Sequence, residues 1–189
     1  MAPARTARRR FDPHRRDRIA AAAIDVVAER GVEGLTHRAV AAKADVPLGS
    51  TTYHFADLDD LLAAALDQAA ADNITELKAW GETVDSKRDL ASAVAELILG
   101  SLGPDRGNWM VGFELYVAAL RRPTLRQVSV AWDSAFVEIL TRYVDEATAR
   151  ALVAACNGLI IMTLLADPPP TLSEMEAIVR SVVGSAGAS

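Results

Sequence analysis

The sequence predicts an all-α protein of about nine helices, and three observations carry that expectation. Hydrophobic residues fill 51% of the 189 positions and aromatics only 5%, with alanine and leucine dominant. Apolar residues recur at helical spacing in one segment after another, and the segments end at a glycine, a proline or a capping side chain. No stretch shows the alternation of a half-buried strand, and no internal repeat appears. A chain of this length can bury a sizeable core, as one large domain or two small ones.

The elements follow in order. Residues 1–14 carry Arg5, Arg8, Arg9 and Arg10 with two prolines and read as a flexible basic arm, either a solvated tail or a segment that reaches a DNA groove. Between Arg15 and Arg30, Ile19, Ala23, Val26 and Val27 share one helical face, and Gly31 stops the helix. Thr36 is a good N-cap for a short helix ending at Ala44. Asp45-Val46 breaks it, and Pro47 suits the first position of the next helix. Ala56-Asp57 caps a long helix over 58–80. Helices are expected at 87–102, 107–121, 124–144, 146–166 and 172–184, separated by Gly103-Pro104, Pro123, Asp145 and Pro168-Pro169-Pro170.

Net charge is −5, which by itself argues against a polyanion partner, but its distribution argues for one. Residues 1–56 hold ten Lys/Arg against six Asp/Glu, whereas residues 57–189 hold ten against nineteen. All three histidines (His14, His37, His54) fall in the basic part. One portion is built to meet a polyanion and the other is not. The single cysteine, Cys156, allows no intrachain disulfide, and a cytosolic setting is expected. The N-terminal arginines lack the apolar run of a secretory signal. The apolar stretch from Ala151 to Ala166 is short of the roughly 20 residues of a membrane span and reads as a helix covered on all sides.

An enzyme would need a nucleophile with a base, a metal cluster or a carboxylate pair in a cleft. The histidines lie in or beside the basic unit, Cys156 sits in an apolar helix, and no Gly-rich phosphate loop is present. No catalytic residue, cofactor or metal site is therefore expected. A purely architectural DNA protein would not need the long acidic second portion.

VPLGSTTYHF (46–55) is unlike its alanine-rich flanks: it holds small polar residues, an aromatic-His-Phe end and no acid. A helix, a tight break and a second short helix describe a helix-turn-helix, whose second helix enters the major groove. Gly49 and Ser50 would let the backbone approach DNA closely, and hydroxyl groups can serve bases or phosphates.

At this point residues 15–62 resemble the DNA-binding region of the TetR family of bacterial repressors. The match is carried in register by Thr36, Arg38, Val40, Ala41, Ala44, Val46, Gly49, Ser50, Tyr53, His54 and Phe55, followed by Leu61-Leu62. The departures are Asp45 where glycine is usual, Thr52 where the first aromatic usually sits, and Leu58 in place of a common lysine. The resemblance implies that Arg38 meets a base or phosphate, and that Thr36 and His37 meet the DNA backbone. It implies that Leu48, Gly49, Ser50 and Thr52 face the groove, with Tyr53 and His54 against phosphates; a packed, capping role is the other reading of His54. Val46, Thr51 and Phe55 are expected to pack the three-helix unit together.

The resemblance divides the chain into the arm (1–14), a DNA-binding domain (15–56) and a helical ligand-binding and dimerisation domain (57–189). It implies a homodimer formed through the helices at about 146–166 and 172–184, double-stranded operator DNA as partner and a small-molecule effector. From the residues themselves, two helices carry aromatic stripes: Trp109, Phe113, Tyr116 and Leu120 on one, and Leu125, Val128, Trp132, Phe136, Ile139 and Tyr143 on the next. Such stripes are either plain core or the wall of a cavity. Trp109, Phe113, Trp132, Phe136 and Ile161 are the candidate lining. Glu114 and Asn157 are the candidate polar groups, with a structural ion pair the rival role for Glu114 and a bond across a dimer the rival for Asn157. A lining of this kind suits a largely hydrophobic, neutral or cationic molecule.

Overall fold

The computed structural model describes residues 12–84, 90–104 and 106–185. Among them the order is α1 (Arg15–Arg30), a 3-10 turn (Val32–Gly34), α2 (His37–Lys43), α3 (Leu48–His54), α4 (Leu58–Gly81), α5 (Leu90–Gly100), α6 (Arg106–Ala118), α7 (Pro123–Leu140), α8 (Glu146–Leu165) and α9 (Leu172–Ser185). No strand occurs among the described residues. Most of the basic arm, residues 1–11, lies outside them, as do residues 87–89 of the expected 87–102 helix.

The helix boundaries follow local chemistry. Thr36 Oγ1 accepts the N–H of Ala39, Asp57 Oδ1 that of Asp60 and Asp145 Oδ1 that of Thr148, so three helix starts satisfy an otherwise orphan donor. Gly31 ends α1 at φ 70°, its N–H bonded to Val27 O. Pro47 sits one position earlier than expected, as the residue before α3 rather than its first member. The helix expected over 124–144 closes at Leu140, because the chain then tightens into turns whose N–H groups bond Ile139 and Leu140.

Two cores hold the chain. The first joins Ile19, Val26, Val40, Phe55 and Leu61 to Val111, Leu115 and Leu125, so α6 packs directly on the helix-turn-helix unit and the start of α7, seated on α4, joins the same core. The second is built from Leu90, Val94 and Ile98 of α5, Ile139 and Leu140 of α7, Leu152, Cys156 and Ile160 of α8, and Met175 and Val179 of α9. Burial pushes the Cys156 thiol up to about 12. Helix α4 runs through both regions and packs chiefly on α7 and α1.

Helix α8 was expected to be covered on all sides, in part by the copy across a dimer, and within one chain the cover is partial. It has the length and apolarity of a membrane span, but it is a bundle helix with one face packed against α5, α7 and α9. Among the described residues nothing covers its other face: Met162 is 67% and Leu165 81% exposed, and Ile161 is exposed beside them. Leu172 and Ile178 of α9 are exposed as well.

Candidate nucleic-acid interface and effector cavity

Helices α2 and α3 meet through a turn in which Asp45 takes φ 51°, the left-handed region that glycine occupies without strain. Val46 N–H then bonds Ala41 O, closing the turn. The inward side of α3 is fixed by Thr51, fully buried with its hydroxyl donating to Leu48 O at 2.8 Å, and by Phe55, also fully buried beneath the Arg16 guanidinium at 4.9 Å. Val46 packs against the same core. The outward side is left to Leu48, Gly49, Thr52 and Tyr53, all exposed, with Ser50 half-buried beside them.

Nothing lies within 4 Å of where a side chain at Gly49 would begin, so no contact inside the chain requires a glycine there. Tyr53 is 84% exposed, so its ring is available to a partner, and it meets His54 edge-on at 5.1 Å. Arg38 projects from α2 and is exposed. Thr36 is exposed but commits its hydroxyl oxygen to the cap of α2. His37 is half-buried, and its buried Nδ1 finds no hydrogen-bond partner.

The second constellation is a cavity of about 250 Å³ between α4, α6, α7 and α8, with Leu97 and Gly100 of α5 closing one side. Trp109, Phe113, Trp132 and Asn157 are on its wall. Trp109 and Phe113 stack with centroids 6.3 Å apart. Sequence reasoning missed the contribution of α4, which presents Leu66, Ala70, Asn73, Glu76, Leu77 and Trp80. These recur every three or four positions, and a lone tryptophan on an alanine-rich helix with two polar residues in its stripe was the available signal.

Three expected lining residues stand elsewhere. Phe136 is buried behind the wall, edge-on to Trp80 at 5.9 Å, because its position on α7 faces the second core. Ile161 lies on the uncovered face of α8, away from the cavity. Glu114 points to a different side of α6 from Phe113, where its Oε1 accepts the N–H of Val32 at 2.6 Å. Among the described residues it forms no ion pair, and it is not on the cavity wall. It ties α6 to the turn after α1.

At the cavity's polar end, Asp133 accepts the Tyr116 hydroxyl at 2.8 Å and the Asn157 amide at 3.3 Å. Burial, reinforced by the Asp133 carboxylate, pushes the Tyr116 hydroxyl up to about 12, so it stays protonated at neutral pH. Among the described residues no group of three His, Cys, Asp or Glu is placed to hold a metal.

Comparison with known proteins agrees with this geometry. Residues 19–65 match the family model described as "Bacterial regulatory proteins, tetR family", and residues 85–185 match "Tetracyclin repressor-like, C-terminal domain". No curated protein matches. Among solved structures, the multidrug binding protein EbrR complexed with ethidium is 45% identical, with a TM-score of 0.82 over 91% of this chain and 99% of that one. EbrR has also been solved with proflavin and with malachite green, at TM-scores of 0.75 and 0.74. A TetR-family member from Streptomyces coelicolor A3 is 44% identical, with a TM-score of 0.79 over 90% of this chain and 99% of its own. The chain belongs to the TetR family of regulatory proteins, which act on DNA as transcriptional regulators and are not enzymes.

Proposed function

We propose that the chain is a ligand-responsive repressor that binds a pseudo-palindromic operator as a homodimer and is released by a hydrophobic aromatic cation. The observation that carries this reading is the double role of α6. One side of that helix walls the cavity with Trp109, Phe113 and Tyr116, and another is bonded through Glu114 to the DNA-binding unit.

Residues 15–56 serve as the DNA-reading domain and 57–189 as the effector and dimerisation domain. Arg38, Leu48, Gly49, Ser50 and Thr52 face the groove. Thr36, His37, Tyr53 and His54 serve the phosphate backbone, the Thr36 hydroxyl staying with its helix cap. The absence of an acid between Val46 and Phe55 supports this face as the one that meets DNA.

One such helix reads too few base pairs to single out a site in a genome. A two-fold dimer doubles the reading, with half-sites roughly 34–36 Å apart. The uncovered apolar faces of α8 and α9 support these helices as the pairing surface, since a lone chain would leave Met162 and Leu165 in water. The protein works where the DNA is, in the cytoplasm.

The effector class rests on the cavity and on the EbrR complexes. Ethidium, proflavin and malachite green are all flat or propeller-shaped aromatic cations. Here three tryptophans and a phenylalanine offer ring faces, and Glu76 supplies an anionic group on the wall. The bound cation favours a dimer state whose reading helices no longer match the half-site spacing, so DNA is lost by population shift.

The test is selection of bound fragments from genomic DNA followed by footprinting. Protection of one short interrupted palindrome supports the repressor. Uniform coating of every fragment would mean an architectural protein instead.

A further inference from the structure

Asp133 does not line the cavity, yet it decides what the cavity's polar end offers a ligand. A carboxylate only accepts, so the Tyr116 hydroxyl proton and the Asn157 amide nitrogen are both turned toward it. The tyrosine is left with lone pairs to present to the cavity, and the amide with its carbonyl oxygen. Both residues are on the wall. Nearby Ser129 directs its own hydroxyl at Leu125 O, at 3.5 Å, and so adds no committed donor to this end.

We infer that Asp133 is a specificity-determining residue that makes this end of the cavity a hydrogen-bond acceptor surface, selecting aromatic cations that carry primary amino groups over cations of the same ring system whose amino groups are fully alkylated. The inference rests on the proposed function, in that it takes the cavity to hold aromatic cations, and adds the feature by which it ranks them. Charge alone would not rank them: Glu76 attracts any cation. An acceptor left facing an alkylated nitrogen finds no partner, whereas one facing an N–H group does, which is the asymmetry on which hydrogen-bond selectivity depends.

Proflavin and acridine orange separate the two effects. Both are acridine cations of one ring system; proflavin has two primary amino groups, and acridine orange carries dimethylamino groups in their place. Fluorescence titration of the full-length wild-type protein should give proflavin an advantage of about fivefold, the value of roughly one hydrogen bond. Asp133→Asn presents an amide that can donate as well as accept, freeing the tyrosine proton or the Asn157 amide to turn inward. The ratio of the two dissociation constants should then fall close to one.

Tyr116→Phe removes the lone pairs without touching Asp133 and should erase most of the preference while acridine orange binding holds. A merely structural role for Asp133 would weaken both dyes alike and leave their ratio unchanged, and that result overturns the inference. Tight binding of both dyes with no preference in the wild type overturns it too, leaving the cation cavity in place. Failure of both dyes to bind the wild type removes the cation cavity and the inference with it.

Discussion

The Glu114 carboxylate accepts the backbone N–H of Val32 at 2.6 Å, across 82 positions of sequence, and so fastens α6 to the DNA-binding unit. The fit is close. Gly31, immediately before Val32, adopts φ 70°, and a side chain there would begin 2.8 Å from Glu114 Oε1.

We expect Glu114→Ala to lower unfolding stability by about 1–2 kcal/mol, since the N–H of a buried residue loses a charge-assisted acceptor. Glu114→Gln should recover most of that loss. Gly31→Ala should cost more than either, because it combines a left-handed backbone with a clash on the same carboxylate. Denaturant melts of the four proteins check this; equal stability of Glu114→Ala and wild type would remove the fastening role.

The reading surface gives a second expectation. Arg38→Ala should weaken operator binding by about 1–3 kcal/mol if the guanidinium meets a guanine edge, and should relax preference at one base position only. Tyr53→Ala removes a ring that is 84% exposed, so it should leave the melting temperature nearly unchanged while lowering affinity for every DNA sequence alike. Equilibrium binding to the operator and to single-base variants distinguishes these patterns. A Tyr53→Ala protein that binds DNA as well as wild type would remove the ring from the interface.

The turn gives a third. Asp45 occupies a left-handed position at φ 51°, a conformation costing a residue with a side chain about 1–2 kcal/mol. Asp45→Gly relieves that cost but adds unfolded-chain entropy of about 0.4–1 kcal/mol. The net expectation is stabilisation by roughly 0.5–1 kcal/mol, read as a higher denaturant midpoint. A lower midpoint would mean that the Asp45 side chain repays the strain.

The fourth concerns the uncovered apolar face. Replacing Met162 and Leu165 together by glutamate places two charges where the proposed dimer has its seam. Sedimentation should then find monomer at concentrations where the wild type is dimeric, with operator affinity falling sharply. Because both side chains point away from the core, helix content should hold. A wild-type protein that is monomeric at micromolar concentration would itself contradict the assembly.

Much of this architecture was legible because it is written in local chemistry. The caps at Thr36 and Asp57, the break at Asp145, the stop at Gly31 and the break before α3 each depend on residues within a few positions of one another. The packing of Thr51 and Phe55 followed from the motif in the same way.

What could not be read depended on distant partners. An aromatic stripe on a helix does not say which of two neighbouring spaces it faces, so Phe136 and Trp132 looked alike although one packs in a core and the other walls a cavity. Nothing in the sequence singles out Asp133, because its partners Tyr116 and Asn157 come to it from α6 and α8. Glu114 bonds a main-chain donor, and no side-chain pattern advertises that.

The central claim is that a cation in the cavity costs the protein its hold on DNA. The most direct measurement is fluorescence anisotropy of the labelled operator, titrated with protein at increasing malachite green, for the wild type and for Trp132→Ala. Saturating dye should weaken wild-type operator binding by about 5–150-fold, the usual range of coupling between two sites. In Trp132→Ala, which lacks one aromatic wall, the same loss should require a much higher dye concentration. Dye that binds the wild-type protein and leaves operator affinity unchanged, or that releases both proteins at the same concentration by acting on the DNA itself, would contradict it.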